Sequence, residues 1–316
     1  MSKNSNSIFS WLLHQGKNIQ HQPIESFEEW KNIYDQRCLP WPEHIDRAIA
    51  GGFLADRTAY AFASAFHSAL HFLIPDIPDD KLAAFCITEK GGGHPKAIKT
   101  TLNSEIHPNS QKTSWIINGQ KQFVSCAKNA DLLFVAASAG MGADGRNQLR
   151  LVQLEKSTPG LTINILDDLP FIPEISHGTL KLDHIAIAET QILEGDAYSQ
   201  YIKPFRMFED VFVFTALLGY LFRNASLFSW PQPIKENLLA LIHNCRSLTL
   251  SDLAASENHI VFNGFQSLMD KVLIEIEPYW STASKDVIDH WERDKPLLKI
   301  AEKARVQRLK TAWANY

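Results

Sequence analysis

The stretch AFCITEKGGGHPKAIKTT, residues 84–101, begins as a buried strand would and runs into three consecutive glycines. Ala84 to Ile87 are apolar and suit an extended, covered segment. Gly91, Gly92 and Gly93 then permit positive φ and close approach of the backbone to another backbone or to a ligand. His94-Pro95 leads out of the loop, and the proline removes a donor N–H there. A glycine triplet alone fits a tight sheet corner as well as a ligand pocket, so the surrounding sequence decides the reading.

On the C-terminal side the strand texture continues to about residue 195. SWIINGQKQFVS, ADLLFVAAS, LRLVQLEK, LTINILD and GTLKLDHIAI are short, rich in β-branched and aromatic residues, and separated by turn signals. Asn118-Gly119 sits between two such runs and predicts a hairpin turn. Regular spacing without βαβ alternation predicts an antiparallel barrel or sandwich over 82–196 and disfavours a doubly wound nucleotide fold.

Both flanks read as helical. FEEWKNIYDQ follows Ser26, which has the spacing of a helix start. The proline-free run from His44 to Leu73 predicts a largely buried helix interrupted near Gly51-Gly52. After residue 200, the segment around 203–228 is apolar on nearly every face, and further helices continue to Tyr316. The fold class expected is therefore α+β and multidomain: an N-terminal helical region over 1–81, the β domain, and a C-terminal helical bundle over 197–316.

The 316 residues carry a net charge of -4, with 45% hydrophobic and 21% charged residues. That is an ordinary globular profile and gives no whole-chain sign of a nucleic-acid partner. The four cysteines are widely spaced and form no CxxC pair, which disfavours the usual zinc and disulfide frameworks. The N-terminal apolar run is too short for a signal-peptide core, and no run approaches the ~20 residues of a membrane helix, so a cytoplasmic location is expected.

Several segments, in order, resemble the acyl-CoA dehydrogenase family. AFCITEKGGGHPKAIKT is similar to its strand-and-loop motif, aromatic-x-x-Thr-Glu-Pro-Gly-x-Gly-Ser-Asp, with Thr88, Glu89, Gly91 and Gly93 in register. WIINGQKQFVS, residues 115–125, resembles the next signature. ADLLFVAAS looks like the strand after it, and VQLEKSTPGLTI (152–163) resembles a further strand and turn. GTLKLDHIAIAETQILEG (178–195) is similar to the segment that leads from the barrel into the last helical domain. The ordered set covers about 110 residues and is more specific than any one motif.

The resemblance implies a flavoprotein oxidoreductase that dehydrogenates the α,β bond of an acyl thioester such as acyl-CoA, within lipid metabolism. It implies FAD as cofactor and an electron-transfer flavoprotein as partner, while the apolar faces of the 203–228 helix, more than a monomer needs, predict that the C-terminal helices pack against another copy in a homodimer or higher oligomer. It would place Thr88, Gly91, Phe123 and Ser125 against the flavin, and Gly92, Gly93 and His94 against the substrate. Two other readings stand beside it: a non-catalytic subunit that pairs with an active relative, and a flavin-dependent oxidase or hydroxylase of the same superfamily.

The chain departs from the family pattern in three places. His94-Pro95 replaces Ser-Asp in a loop one residue shorter. The motifs that grip the flavin pyrophosphate and meet the adenosine are not found. The family's catalytic glutamate lies between an Arg-Asp and a Gln-Arg-Leu; counting forward from Arg293-Asp294 gives Glu302, and counting back from Gln307 gives Ala301. Glu209 on the long apolar helix is the alternative base, with Arg206 three residues before it as an ion-pair candidate. His67 and His71 share a helix face at i, i+4, without a third ligand at suitable spacing.

Overall fold

The computed structural model describes residues 7–106 and 113–316, and they divide into two compact units. One comprises residues up to Phe72, Pro170–Glu174 and Arg206–Tyr316; the other comprises Leu73–Leu169 and Ile175–Phe205.

The second unit holds one seven-stranded sheet: β1 Ala83–Cys86, β2 Thr101–Ile106, β3 Thr113–Ser125, β4 Leu132–Met141, β5 Asn147–Glu155, β6 Leu161–Ile165 and β7 His177–Ile187. The order is β1-β4-β2-β3-β7-β6, with β5 on β4. Antiparallel ladders join β2 to β3, β3 to β7, β6 to β7 and β4 to β5, as expected. The departure is at β4, which pairs in parallel with β1, Ala83 opposite Leu132, and meets β2 in parallel at Thr101 and Ser138. These strands are not consecutive, so no tight turn forces them antiparallel. The Leu82 carbonyl accepts from the N–H groups of Asp131 and Leu132 at 2.8 and 3.0 Å and sets the β1 pairing. The sheet curls, and the Gln122 N–H donates to the Thr88 carbonyl at 2.7 Å, which joins β3 to the segment after β1. Alternating side chains, among them Cys86, Leu102, Ile117, Val135, Val152, Leu180 and Ile185, fill its interior.

Asn118-Gly119 is not a hairpin turn. The strand β3 passes straight through it, with a bulge against β7 between Ile117 and Gly119. A Cβ on Gly119 would overlap Thr100, lying 2.6 Å from its Cα, so the glycine serves a close backbone approach.

The first unit is helical: α1 Ile8–Lys17, α2 Phe27–Arg37, α3 His44–Leu54, α4 Thr58–Leu73, α5 Lys203–Leu227, α6 Gln232–Leu248, α7 Ser256–Ile276, α8 Lys285–Asp294 and α9 Glu302–Trp313. The last residue of α4 and the first three of α5 belong to the other unit. Ser26 caps α2, its hydroxyl accepting from the Glu29 N–H at 3.1 Å.

The break in the run 44–73 falls at Ala55–Arg57, not at Gly51-Gly52. The glycines sit mid-helix because a Cβ on Gly52 would drive into the backbone of Ala216, and one on Gly51 into Ser64. Gly219 completes the crossing: its Cβ would lie 2.5 Å from the Ile49 carbonyl oxygen. Helices α3 and α5 thus meet backbone to backbone. The all-round apolar surface of α5 is covered within its own chain, with Val211, Phe212, Ala216, Leu218, Tyr220, Leu221 and Ala225 fully buried. The spare apolar face read from the sequence is therefore not on this helix.

All four cysteines are unpaired and buried. Burial pushes the Cys86, Cys126 and Cys245 thiols up to about 12, and raises Cys38 further still. Among the described residues no helix is long and apolar enough to cross a membrane.

Candidate functional site

Glu89 organises the glycine loop. Its Oε1 accepts from Lys121 Nζ at 2.7 Å, from the Thr100 N–H at 3.0 Å and from the Thr100 hydroxyl at 2.8 Å. Its Oε2 accepts from the Lys99 N–H at 2.8 Å. The carboxylate therefore ties both ends of the 89–100 loop to β3. Burial alone would raise its pKa, but Lys121 and the two backbone N–H groups outweigh that and hold it below the usual 4.5.

The three glycines do different work. Glu89 and Gly92 exchange backbone hydrogen bonds, Gly92 N–H to Glu89 O at 2.8 Å and the reverse at 3.2 Å, which closes a tight turn. Gly92 takes φ +101°, where L side chains are strained, and its Cβ direction is open. Gly91 packs on Ala97, and a Cβ on Gly93 would meet Thr88 Oγ1 at 3.6 Å. His94 is exposed, and its Nδ1 accepts from the Lys96 N–H at 3.3 Å, capping the short turn Pro95–Ala97.

The Gln122–Thr88 hydrogen bond brings Thr88 beside the end of β3. There a register shift between Lys121 and Val124 turns Phe123 outward, at φ +55° and 60% exposed. Ser125 is half-buried, its hydroxyl 3.3 Å from His177 Nε2. His177 Nδ1 lies 2.9 Å from the Ile175 carbonyl, which makes Nδ1 the protonated nitrogen and leaves Nε2 to accept from Ser125. Burial lowers the His177 pKa, so the ring is neutral. The sheet thus gathers Thr88, Phe123 and Ser125, and Gly91–His94 continue on the loop. Sequence reasoning named these residues as candidates and missed Thr100 and Lys121 as partners of Glu89. Lys121 lies within WIINGQKQFVS, one of the segments that carry the resemblance, and that was the available signal.

In the helical unit, Glu209 keeps part of its surface in solvent while its carboxyl is packed inside. Burial, and then the negative charge of Asp210, push that carboxyl up to about 7 against a pull from Arg308. It makes no ion pair among the described residues, so the Arg206 pairing does not form. The neighbour Asp210 is the bridged residue, with Arg305 Nη1 at 3.1 Å and Arg308 Nη2 against its other oxygen. Glu302 is exposed on the first turn of α9. Arg305, three residues on, is turned to Asp210 and to the Leu298 carbonyl at 2.7 Å.

An outward-facing aromatic, two nearby hydroxyls and a tight glycine turn suit the planar ring of a flavin and its polar edge. That fit extends to the ring alone, since the family's pyrophosphate motifs are missing from the sequence.

Residues 84–185 match the family model described as acyl-CoA dehydrogenase, middle domain. (R)-benzylsuccinyl-CoA dehydrogenase of Thauera aromatica is 29% identical over 119 residues, 37% of this chain and 28% of that protein. The alignments with curated relatives span less than a third of those proteins' own length. Solved structures align along nearly the whole chain. The prolyl acyl carrier protein oxidase AnaB gives a TM-score of 0.69 at 14% identity, covering 98% of this chain and 99% of that one. Butyryl-CoA dehydrogenase from Megasphaera elsdenii gives 0.65 at 14%, covering 99% and 100%. The fold is that of the acyl-CoA dehydrogenases, with N-terminal helices, a central curled sheet and a C-terminal helical bundle. Residues 84–185 match that family's middle domain in sequence, and the remainder of the chain is similar to it in fold.

Proposed function

We propose that this protein is a flavin-dependent dehydrogenase of an acyl thioester. The observation that carries the reading is the Gln122–Thr88 hydrogen bond, which joins the two segments that resemble the family's flavin-facing motifs. When bound, the flavin would supply the acceptor for the β-hydride. Thr88 would donate to its polar edge, Ser125, whose proton goes to His177, would accept from an N–H there, and Phe123 would lie against the ring. FAD is the form the family implies. The thioester is the chemistry of the substrate, carried on CoA or on a carrier protein.

α-Proton removal needs a carboxylate that is sheltered from water and basic enough to hold the proton it takes, with a pKa near the working pH. Glu209, pushed up to about 7, meets that requirement better than the exposed Glu302. We therefore assign Glu209 as base and keep Glu302 as its comparison. Homo-oligomerisation, a cytoplasmic setting and an electron-transfer flavoprotein as oxidant belong to the same proposal. Val261 and Leu268 on α7, and Val306 and Trp313 on α9, are exposed apolar pairs seven residues apart, each on one helix face, and suit contact with another copy.

The test is a flavin titration followed by anaerobic bleaching with a set of acyl-CoA and acyl-carrier thioesters. Glu209→Gln should bind flavin like wild type and fail to bleach; Glu302→Gln should bleach normally. Wild type that binds no flavin would instead support the non-catalytic subunit.

A further inference from the structure

Arg223, on α5, is a buried cation without an ion-pair partner among the described residues. It is 3% exposed, and its Nη1 meets no hydrogen-bond partner among the described residues. Asp56 influences it only through space. Both oxygens of Asp56 are engaged elsewhere, accepting from the Ile24 N–H at 2.8 Å and from Arg57 at 3.1 and 2.7 Å. An uncompensated guanidinium is costly to bury, so its retention calls for an explanation.

Arg223 is among the residues that line a cavity of about 650 Å³ within the helical unit, bounded by α1, the segment 18–24, α2 and the C-terminal end of α3. That volume is in the range of a small-molecule site. Phe53 and Ile24, both buried, supply an apolar floor beside Arg223. His14, His21 and Arg37 stand around the same cavity with access to solvent. The lining holds two arginines against one carboxylate, Glu29, whose Oε2 already accepts from the Glu25 N–H at 2.8 Å.

We propose that this cavity binds a small molecule with one anionic headgroup, a carboxylate or a phosphate, on a short apolar body. The headgroup would take the free donor of Arg223, whose planar fork suits either oxyanion. The apolar body would cover Phe53 and Ile24. The site uses none of the residues assigned to the flavin or to proton removal, so the proposal stands or falls apart from the dehydrogenase reading.

The experiment compares phenylacetate, phenyl phosphate and the neutral benzyl alcohol on the full chain, by thermal shift and by calorimetric titration. Ligand that binds only the native state raises Tm with concentration. At least one of the two anions should do so and benzyl alcohol should not; which anion binds more tightly distinguishes the headgroups. Arg223→Met should weaken the anion by about tenfold or more, the scale of a lost charge-assisted hydrogen bond. Should Arg223→Met fail to fold, Arg223→Lys decides instead, because it keeps the charge and loses the fork; the same direction of loss is expected. No stabilisation by either anion, equal stabilisation by benzyl alcohol, or unchanged affinity in the deciding variant overturns the proposal.

Discussion

Lys121 is completely buried, and its Nζ stands 2.7 Å from Oε1 of Glu89, whose own side chain is only 8% exposed. Such a pair contributes little unless its remaining lone pairs are filled. Here three further donors from Lys99 and Thr100 fill them, so the ion pair serves to fix where the glycine loop leaves the sheet.

Lys121→Met should therefore be severe, because it leaves a buried carboxylate facing an apolar side chain. The expected loss is about 3–5 kcal/mol in urea unfolding. Lys121→Met combined with Glu89→Gln should recover part of it, since the stranded charge is gone. A single-variant loss under about 1 kcal/mol would show that the pair is better solvated than its burial indicates.

Acid should weaken the fold through Glu89. Its native pKa lies below the unfolded value of 4.5, so the unfolded chain binds more protons in that window. The stabilisation is fully present above pH 4.5 and is lost as pH falls through the native pKa. Glu174, held low by Arg57 and Arg293 against the effect of burial, acts with the same sign. Stability measured from about pH 6 to about pH 3 should fall less steeply in Glu89→Gln than in wild type.

The helix crossing gives a mechanical prediction. Gly52→Ala places a methyl group into the Ala216 backbone, which cannot swing aside as a side chain can. Overpacking of this kind costs about 1–3 kcal/mol, and a backbone clash belongs at or above the upper end. Gly264→Ala on α7 meets nothing within 4 Å and should be neutral or mildly stabilising, which makes it the control for the Tm comparison.

The flavin reading predicts separable effects on the sheet. Ser125→Ala removes one polar contact, worth about 1 kcal/mol, and should weaken flavin several-fold with little change in Tm. Gly92→Val should weaken flavin strongly and also lower Tm, because φ +101° penalises a β-branched residue even in open space. Equal flavin affinity in wild type and Ser125→Ala would remove that hydroxyl from the site.

Much of this architecture is legible from local signals. The Ser26 cap, six of the seven strands and the long helix from residue 203 all come from neighbours in sequence. The strand Thr101–Ile106 escapes notice because TLNSEI has little alternation and few β-branched residues. Asn118-Gly119 and Gly51-Gly52 mislead for one shared reason: each carries turn or breaker chemistry locally, yet answers to a segment far along the chain, Thr100 or Ala216. The ties of Glu89 to Lys121, and of Asp210 to Arg305 and Arg308, span 32, 95 and 98 residues, and no periodicity reports them. The base is ambiguous in the sequence for a related reason. Spacing counts residues, whereas the difference between Glu209 and Glu302 is how far each is withdrawn from water.

The covered cysteines give the folded chain a built-in stopwatch. With every thiol sheltered and its thiolate disfavoured, a maleimide or disulfide reagent at neutral pH has almost nothing to attack until the chain opens. Cys38 and Cys245 lie in the helical unit, and Cys86 and Cys126 lie in the sheet unit. Timed labelling combined with peptide mass mapping would therefore clock the opening of each unit separately, in unmodified protein, and would show which of the two a bound cofactor slows.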